Sequence, residues 1–473
     1  MDVAKKKDYS WCWWMVGGAL LLALIGLAVF LNFNSETYDN TASDVIDIDN
    51  GDTKISWDNY PTYEVELTGS HNITAPGTYH LTGSIEDGGI SVRIADNAVV
   101  RLILDNTSIK NSNGPAIACY EGDDLVIELI GDNYLEDGAS YSSTYNEDVK
   151  GAIYSKADLT FTGDGSLTLK ANYQDGIVSK DDLKFSGGSY NITARDDGIR
   201  GKDSVYIADG VFVISASGDG IKSTNNTDSG KGFVLIAGGE IDIEKSYEGI
   251  EAKKIIIDGG KISIFSNDDG INATAASTTT NSRDPMMNTN ENCSLIINGG
   301  SVYVNAAGDG LDSNGYIYIN GGKVAVDGPT NSGNGALDAG LGIVMNGGTA
   351  VVVGASGMAE SLGTNSSIYN ISVFFNSTLA KGTKIEIKNS AGETILEHTA
   401  AKTFAHLAAG TAGFEPGETY TIYINGEEYT TFTISDITTT VGNGGYNMGG
   451  GANQGGANQG NQGGATGQQG ARR

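Results

Sequence analysis

Cysteine is almost missing from this chain. Cys12, Cys119 and Cys293 are the three in 473 residues, with no CxxC spacing. That excludes a disulfide framework and a thiolate zinc site. Histidine is as scarce: His71, His80, His398 and His406 lie outside the acidic repeat described below. Zinc hydrolysis and histidine-based triads have little to build on. Positive charge is also short, with 29 Lys and Arg against 58 Asp and Glu and a formal charge of −29. Such a surface repels phosphates and anionic headgroups, so nucleic acid is excluded as a partner and cations are the natural small ligands. Proline stands at 6 residues against 68 glycines and 22 tyrosines, which with many Ile, Val and Thr suits short strands and tight turns.

A long apolar run occurs near the start. After "KKK" at 5–7 come 23 uncharged residues, "WCWWMVGGALLLALIGLAVFLNF", long enough to cross a hydrocarbon core as a helix. Lysines precede it and none follows until Lys54, so the positive-inside rule places the bulk of the chain outside the cell. A cleaved signal peptide is the alternative, although the run is long and has no Ala-x-Ala exit. The expected organisation is a cytoplasmic stub and transmembrane anchor at 1–34 and a polar linker at 35–59. A repeat region at 60–362, a small β module at 363–441 and a Gly/Asn/Gln-rich disordered tail at 442–473 follow.

The interior repeats itself about every 22 residues. One signal is Gly-Gly or Asp-Gly before an apolar alternation, as in "GGEIDIE" at 238 and "GGKISIF" at 259; the other is "DGIVSK" at 175, "DGIRGK" at 197, "DGIKST" at 219, "EGIEAK" at 248, "DGINAT" at 269 and "DGLDSN" at 309. Alternation of period 2 excludes a helical repeat, and a leucine ladder is absent. A parallel β-helix is the economical expectation: a solenoid, right-handed by the family resemblance given below, with an N-terminal transmembrane helix and a small C-terminal antiparallel β module, its core the ladder Ile177, Ile199, Ile221, Ile250, Ile271 and Leu311.

Stacking in register would put like charges beside one another. Asp175, Asp197, Asp219, Glu248, Asp269 and Asp309 would form one column about 4.8 Å apart, with Asp196 and Asp268 just before it. A second column would run Val178, Arg200, Lys222, Glu251, Asn272, Asp312, Asp338. Something must neutralise so many carboxylates. Ca2+ takes six to eight oxygens in irregular geometry, which makes Asp196, Asp197, Asp219, Glu248, Glu251, Asp268, Asp269, Asn272, Asp309, Asp312 and Asp338 its candidate ligands. Asp-Gly is equally a good turn sequence in its own right. Lys156, Lys180, Lys202 and Lys253 form a further column. They would pair with neighbouring carboxylates or contact sugar carboxylates, and Lys180, Arg195, Arg200, Lys202 and Lys222 would offer a basic strip to an acidic sugar.

The "DGI…K…GG" repeat together with the apolar N-terminus resembles a family of bacterial cell-surface carbohydrate-binding proteins, calcium-containing parallel β-helices related to the family 9 pectate lyases. The resemblance covers roughly residues 60–360. It implies capture of an acidic (polygalacturonate-like) or cellulosic polysaccharide with bound calcium, at the cell membrane. For the related lyases it implies an Asp cluster such as Asp196, Asp197 and Asp219 with Lys180 or Lys202 as base. Those residue types recur along many repeats instead of marking one site, so no catalytic residue is assigned. A lyase and a calcium-stiffened stalk that binds no sugar are the alternatives.

Overall fold

The computed structural model describes residues 55–145, 148–275 and 289–443. Its repeats follow from chemistry that is visible residue by residue. Each "DGI" segment enters a strand of three to five residues, as at Asp175–Ser179, Ile199–Gly201, Ile221–Ser223 and Ile250–Ala252. These belong to an 11-stranded sheet paired in parallel. Most Gly-Gly turns open a strand of a second, 23-stranded sheet, such as Glu240–Ser246 and Lys261–Ser266, whereas Gly187 and Gly188 lie within the strand Asp182–Ala194.

The alternation puts every second side chain inside. Ile177, Ile199, Ile221, Ile250, Ile271 and Leu311 are Cα partners in sequence, and none exposes any surface. Opposite them, Ile192, Ile214, Ile243, Ile264 and Val304 stack in the large sheet and join the same core. Stacked aromatics enter where the repeats allow them: Phe161 lies 5.0 Å from Phe185, and Tyr190 4.7 Å from Phe212. Full burial of such side chains contributes about 1.5–3 kcal/mol each, so the shared apolar core dominates the stability.

The Asp-Gly glycines are fixed by backbone approach. A Cβ on Gly198 would sit 2.7 Å from the carbonyl oxygen of Gly220, and one on Gly220 would sit 2.7 Å from that of Gly249. No larger residue fits between successive turns.

The expected fold class requires correction. The described residues contain no α-helix, only a short 3-10 turn at Trp57–Asn59, and so no helix among them is long and apolar enough to cross a membrane. The apolar run at 11–33 lies outside the described residues. A right-handed β-helix solenoid with a separate antiparallel module is not the architecture of the described residues, and the helical anchor expected within 1–34 falls outside them. The architecture is an all-β arrangement of parallel strands closed around one core, with extra sheets.

The C-terminal strands show the difference most clearly. Thr349–Gly354 pairs antiparallel with Phe404–Thr411, and Asn370–Leu379 pairs antiparallel with that strand and parallel with Thr438–Val441, so all three later strands extend the 23-stranded sheet. Four others, Lys384–Lys388, Thr394–Thr399, Thr419–Ile424 and Glu427–Thr433, form a 4-stranded antiparallel sheet. Buried Asp327 ties this part to the repeats. It accepts hydrogen bonds from the Ala401 N–H at 2.9 Å and the Tyr303 hydroxyl at 3.0 Å, and pairs with His398 Nε2 at 3.1 Å. Alternation identifies strands but not their partners, which is why sequence could not foresee this joint.

Candidate metal centre on the stacked turns

The Asp of each turn first serves the backbone. Asp175 Oδ1 accepts the N–H of Asp197, Asp197 Oδ1 that of Asp219, and Asp219 Oδ1 that of Glu248, at 3.2, 2.9 and 3.2 Å. Further along, Asp269 Oδ1 accepts the N–H of Asp309 at 2.6 Å, and Asp309 Oδ1 that of Gly335 at 2.5 Å. Each bond leaves the second oxygen of the carboxylate for another partner, and that partner changes along the stack.

In the earlier turns it is a cation of the chain itself. Arg200 Nη1 lies 3.4 Å from Asp175 and 3.6 Å from Asp197. Lys222 Nζ donates to Asp219 at 2.6 Å and to Glu251. Burial alone would disfavour the charged ammonium, but those two bonds outweigh it and raise the Lys222 pKa. Glu248 remains beside this pair without its own cation, and burial followed by the charges of Glu251 and Asp219 pushes its carboxyl up to about 9.

In the later turns the basic residues stop. The second column runs Arg200, Lys222, Glu251, Asn272, Asp312, Asp338 in register, as the repeat predicts. Ligand oxygens of Asp269, Asp309 and Asp312 lie within 4.8 Å of one another. Among the described residues no Lys, Arg or His pairs with this group. Burial and mutual repulsion therefore raise all three: Asp269 to about 6, Asp309 to about 7 and Asp312 to about 8, with Asp338 the first neighbouring charge felt by Asp312. Asp338 is itself raised by burial.

Two further oxygen-bearing groups bear on these carboxylates. Glu360 is raised to about 7 by burial and then by Asp338. It stands in the loop after Thr349–Gly354, outside the motif, so no repeat pointed to it. Asn272 is 8% exposed, and its Oδ1 has no hydrogen-bond partner although it is buried; its Nδ2 donates to Glu248 at 3.3 Å and Asp269 at 3.5 Å. A buried, unpartnered carbonyl oxygen beside repelling carboxylates could serve as a cation ligand. Asp269, Asp309 and Asp312, whose ligand oxygens converge, could hold a cation, and an all-oxygen set of this kind suits calcium better than zinc.

Other candidates fall elsewhere. Asp196 joins Asp175 and Asp197 in a group beside Arg200, and Asp268 lies one residue before Asp269, facing the Gly308 backbone in the same way. Of the expected basic strip, Arg200 and Lys222 are held in the ion pairs above and Lys202 lies 3.4 Å from Asp203. Lys180 is half-buried and Arg195 exposed. Lys253 reaches the Asp228 carbonyl at 2.8 Å.

Residues 69–333 match a family model described as "Carbohydrate-binding domain-containing protein", more than half of the chain. The chain belongs to this family. A relative from Acetivibrio thermocellus, also described as a carbohydrate-binding domain-containing protein, is 43% identical over 188 residues, covering 39% of this chain. The match spans 66% of that relative's length. A solved structure, the gadolinium derivative of a polysaccharide lyase-like protein from C. thermocellum, is 27% identical and covers 53% of this chain and 92% of its own. Its TM-score of 0.40 is too low for the likeness to support any inference.

Proposed function

We propose that this chain binds polysaccharide, and that Ca2+ held by Asp269, Asn272, Asp309, Asp312, Asp338 and Glu360 is part of its working state. Family membership supports the carbohydrate half of this reading. The metal half rests on one observation: half-buried carboxylates within 4.8 Å of one another beside an unpartnered buried Asn272 oxygen. Isolated charges of one sign do not stay buried and ionised without compensation. Bound calcium would supply it and would also offer a bridge to sugar carboxylates on a chain of charge −29.

The preferred ligand is an acidic, polygalacturonate-like polysaccharide, with cellulose as the neutral candidate, and the site of action is the cell membrane with the bulk of the chain outside. The test is calorimetry on metal-stripped protein, titrated with calcium and then with polygalacturonate or cello-oligosaccharide. The reading expects calcium heat, followed by glycan binding that weakens on chelation. Calcium heat without any glycan binding would leave only a calcium-stabilised stalk.

A further inference from the structure

A second feature lies away from the carboxylate columns, at the beginning of the 11-stranded sheet. Strands His71–Ile73, Ile90–Arg93 and Ile117–Glu121 floor a cavity of about 550 Å³. This is within the roughly 300–1,000 Å³ typical of small-ligand sites. Its walls combine aromatic faces with hydrogen-bonding tips: Tyr120, Tyr145, Asn72, Ser91, Arg93 and Lys156.

The tyrosines are set rigidly. Tyr145 lies so close over Gly114 that a Cβ there would come within 2.4 Å of its hydroxyl. Tyr120 stands on a small apolar cluster of Ala118, Val149, Tyr154 and Val178. Tyr154 is fully buried in that cluster, yet its hydroxyl has no hydrogen-bond partner. Two cluster members, Ala118 and Val149, line the cavity.

Charge distinguishes this cavity from the remainder of the surface. Arg200 and Lys222 are committed to buried carboxylates, whereas Arg93 keeps 52% of its side chain exposed, with the guanidinium 4.0 Å over the Tyr120 ring and 3.5 Å from an exposed Glu121. A pair that exposed contributes little and exchanges partners readily. Lys156 is exposed on the same wall. Two cations, one carboxylate and a pair of tyrosines form a cationic, aromatic pocket on a strongly acidic molecule.

We infer that this cavity is a glycan subsite for a short stretch of carboxylate-bearing sugar, with Arg93, held over the Tyr120 ring, and Lys156 taking the carboxylates and Tyr145 flanking the sugar ring. It rests on the carbohydrate-binding reading but needs no metal, so it acts independently of the calcium centre. The basic strip suggested by spacing, Lys180 to Lys222, is replaced in this role by residues of the first repeats.

The test uses the full chain in chelator, which removes metal bridging, and measures binding of oligogalacturonide and of cello-oligosaccharide of equal length. Arg93→Gln and Lys156→Gln are exposed changes that leave folding intact; each is expected to weaken oligogalacturonide binding by about tenfold. Tyr120→Leu should weaken it similarly. Equal binding of both sugars, unaffected by Arg93→Gln, would overturn the anionic assignment. Oligogalacturonide binding that occurs with calcium, disappears in chelator and ignores all three cavity variants would overturn the subsite and leave the proposed function standing. No glycan binding under either condition would remove the carbohydrate reading itself.

Discussion

Lys222 and Asp312 occupy equivalent places in one column, three turns apart, and that exchange separates a cluster that holds a cation of the chain from one that holds none. The difference can be tested in both directions. Lys222→Gln removes the ammonium between Asp219 and Glu251, leaving those two and Glu248 buried within 4.8 Å of one another. Breaking a buried pair in this way costs about 3–5 kcal/mol. The variant is expected to melt lower in chelator and to recover part of the loss in calcium, a dependence the parent lacks at this position. Denaturation midpoints with and without calcium provide the check; a loss that calcium leaves untouched would mean the three oxygens cannot converge on an ion. In the other direction, Asp312→Asn should weaken calcium binding by about tenfold or more while raising the stability of the metal-free chain, because one repelling carboxylate is gone.

The same residues set a pH dependence. Asp269, Asp309, Asp312 and Glu360 are raised by burial to between about 6 and about 8, whereas in the unfolded chain they titrate near 4. Between those limits the folded chain holds more protons than the unfolded one, so stability without metal falls as pH rises from about 4 to about 8. Thermal melts in chelator should therefore decline across this window. Saturating calcium should flatten the decline, since the metal replaces the protons. A metal-free chain whose melting temperature rises through the same window would show the carboxylates to be compensated by something else.

At the scale of the element, the turn is what the sequence made legible. The 22-residue spacing of Asp197 and Asp219 predicted stacking, and the register of Ile199 with Ile221 and of Arg200 with Lys222 follows it. Two roles of the Asp-Gly turn, usually posed as alternatives, coexist: one carboxylate oxygen caps the next turn's N–H while the other faces the column. Glu360 and the Tyr120 cavity were illegible for a physical reason. Neither belongs to the periodic signal, and each is assembled from loops and from first repeats whose motifs are degenerate. The joint at Asp327 escaped notice because its partners, His398 and Ala401, lie more than seventy residues away. The glycine is the sharpest element-scale test. Gly220→Ala would place a methyl 2.7 Å from the Gly249 oxygen and 2.7 Å from Ile243, and overpacking of this kind costs about 1–3 kcal/mol. Gly69→Ala, with nothing within 4 Å and no positive φ, should be close to neutral by chemical denaturation.

For the molecule as a whole, the formal charge of −29 acts on every turn at once. Self-repulsion of that size opposes compaction and is relieved by any salt, so a stabilising effect of calcium proves a site only if it exceeds simple screening. Sodium chloride and calcium chloride at matched ionic strength separate the two contributions. Screening acts on exposed charge over about a Debye length, whereas a bound ion acts on Asp269, Asp309, Asp312 and Asp338, which are largely removed from solvent. Calcium is therefore expected to raise the melting temperature beyond the sodium value at the same ionic strength, and Asp312→Asn should close most of that gap without altering the sodium response. If the two salts act equally on the parent chain, the later turns hold their carboxylates as acids, and the columns are a folding device whose protons take the place of metal.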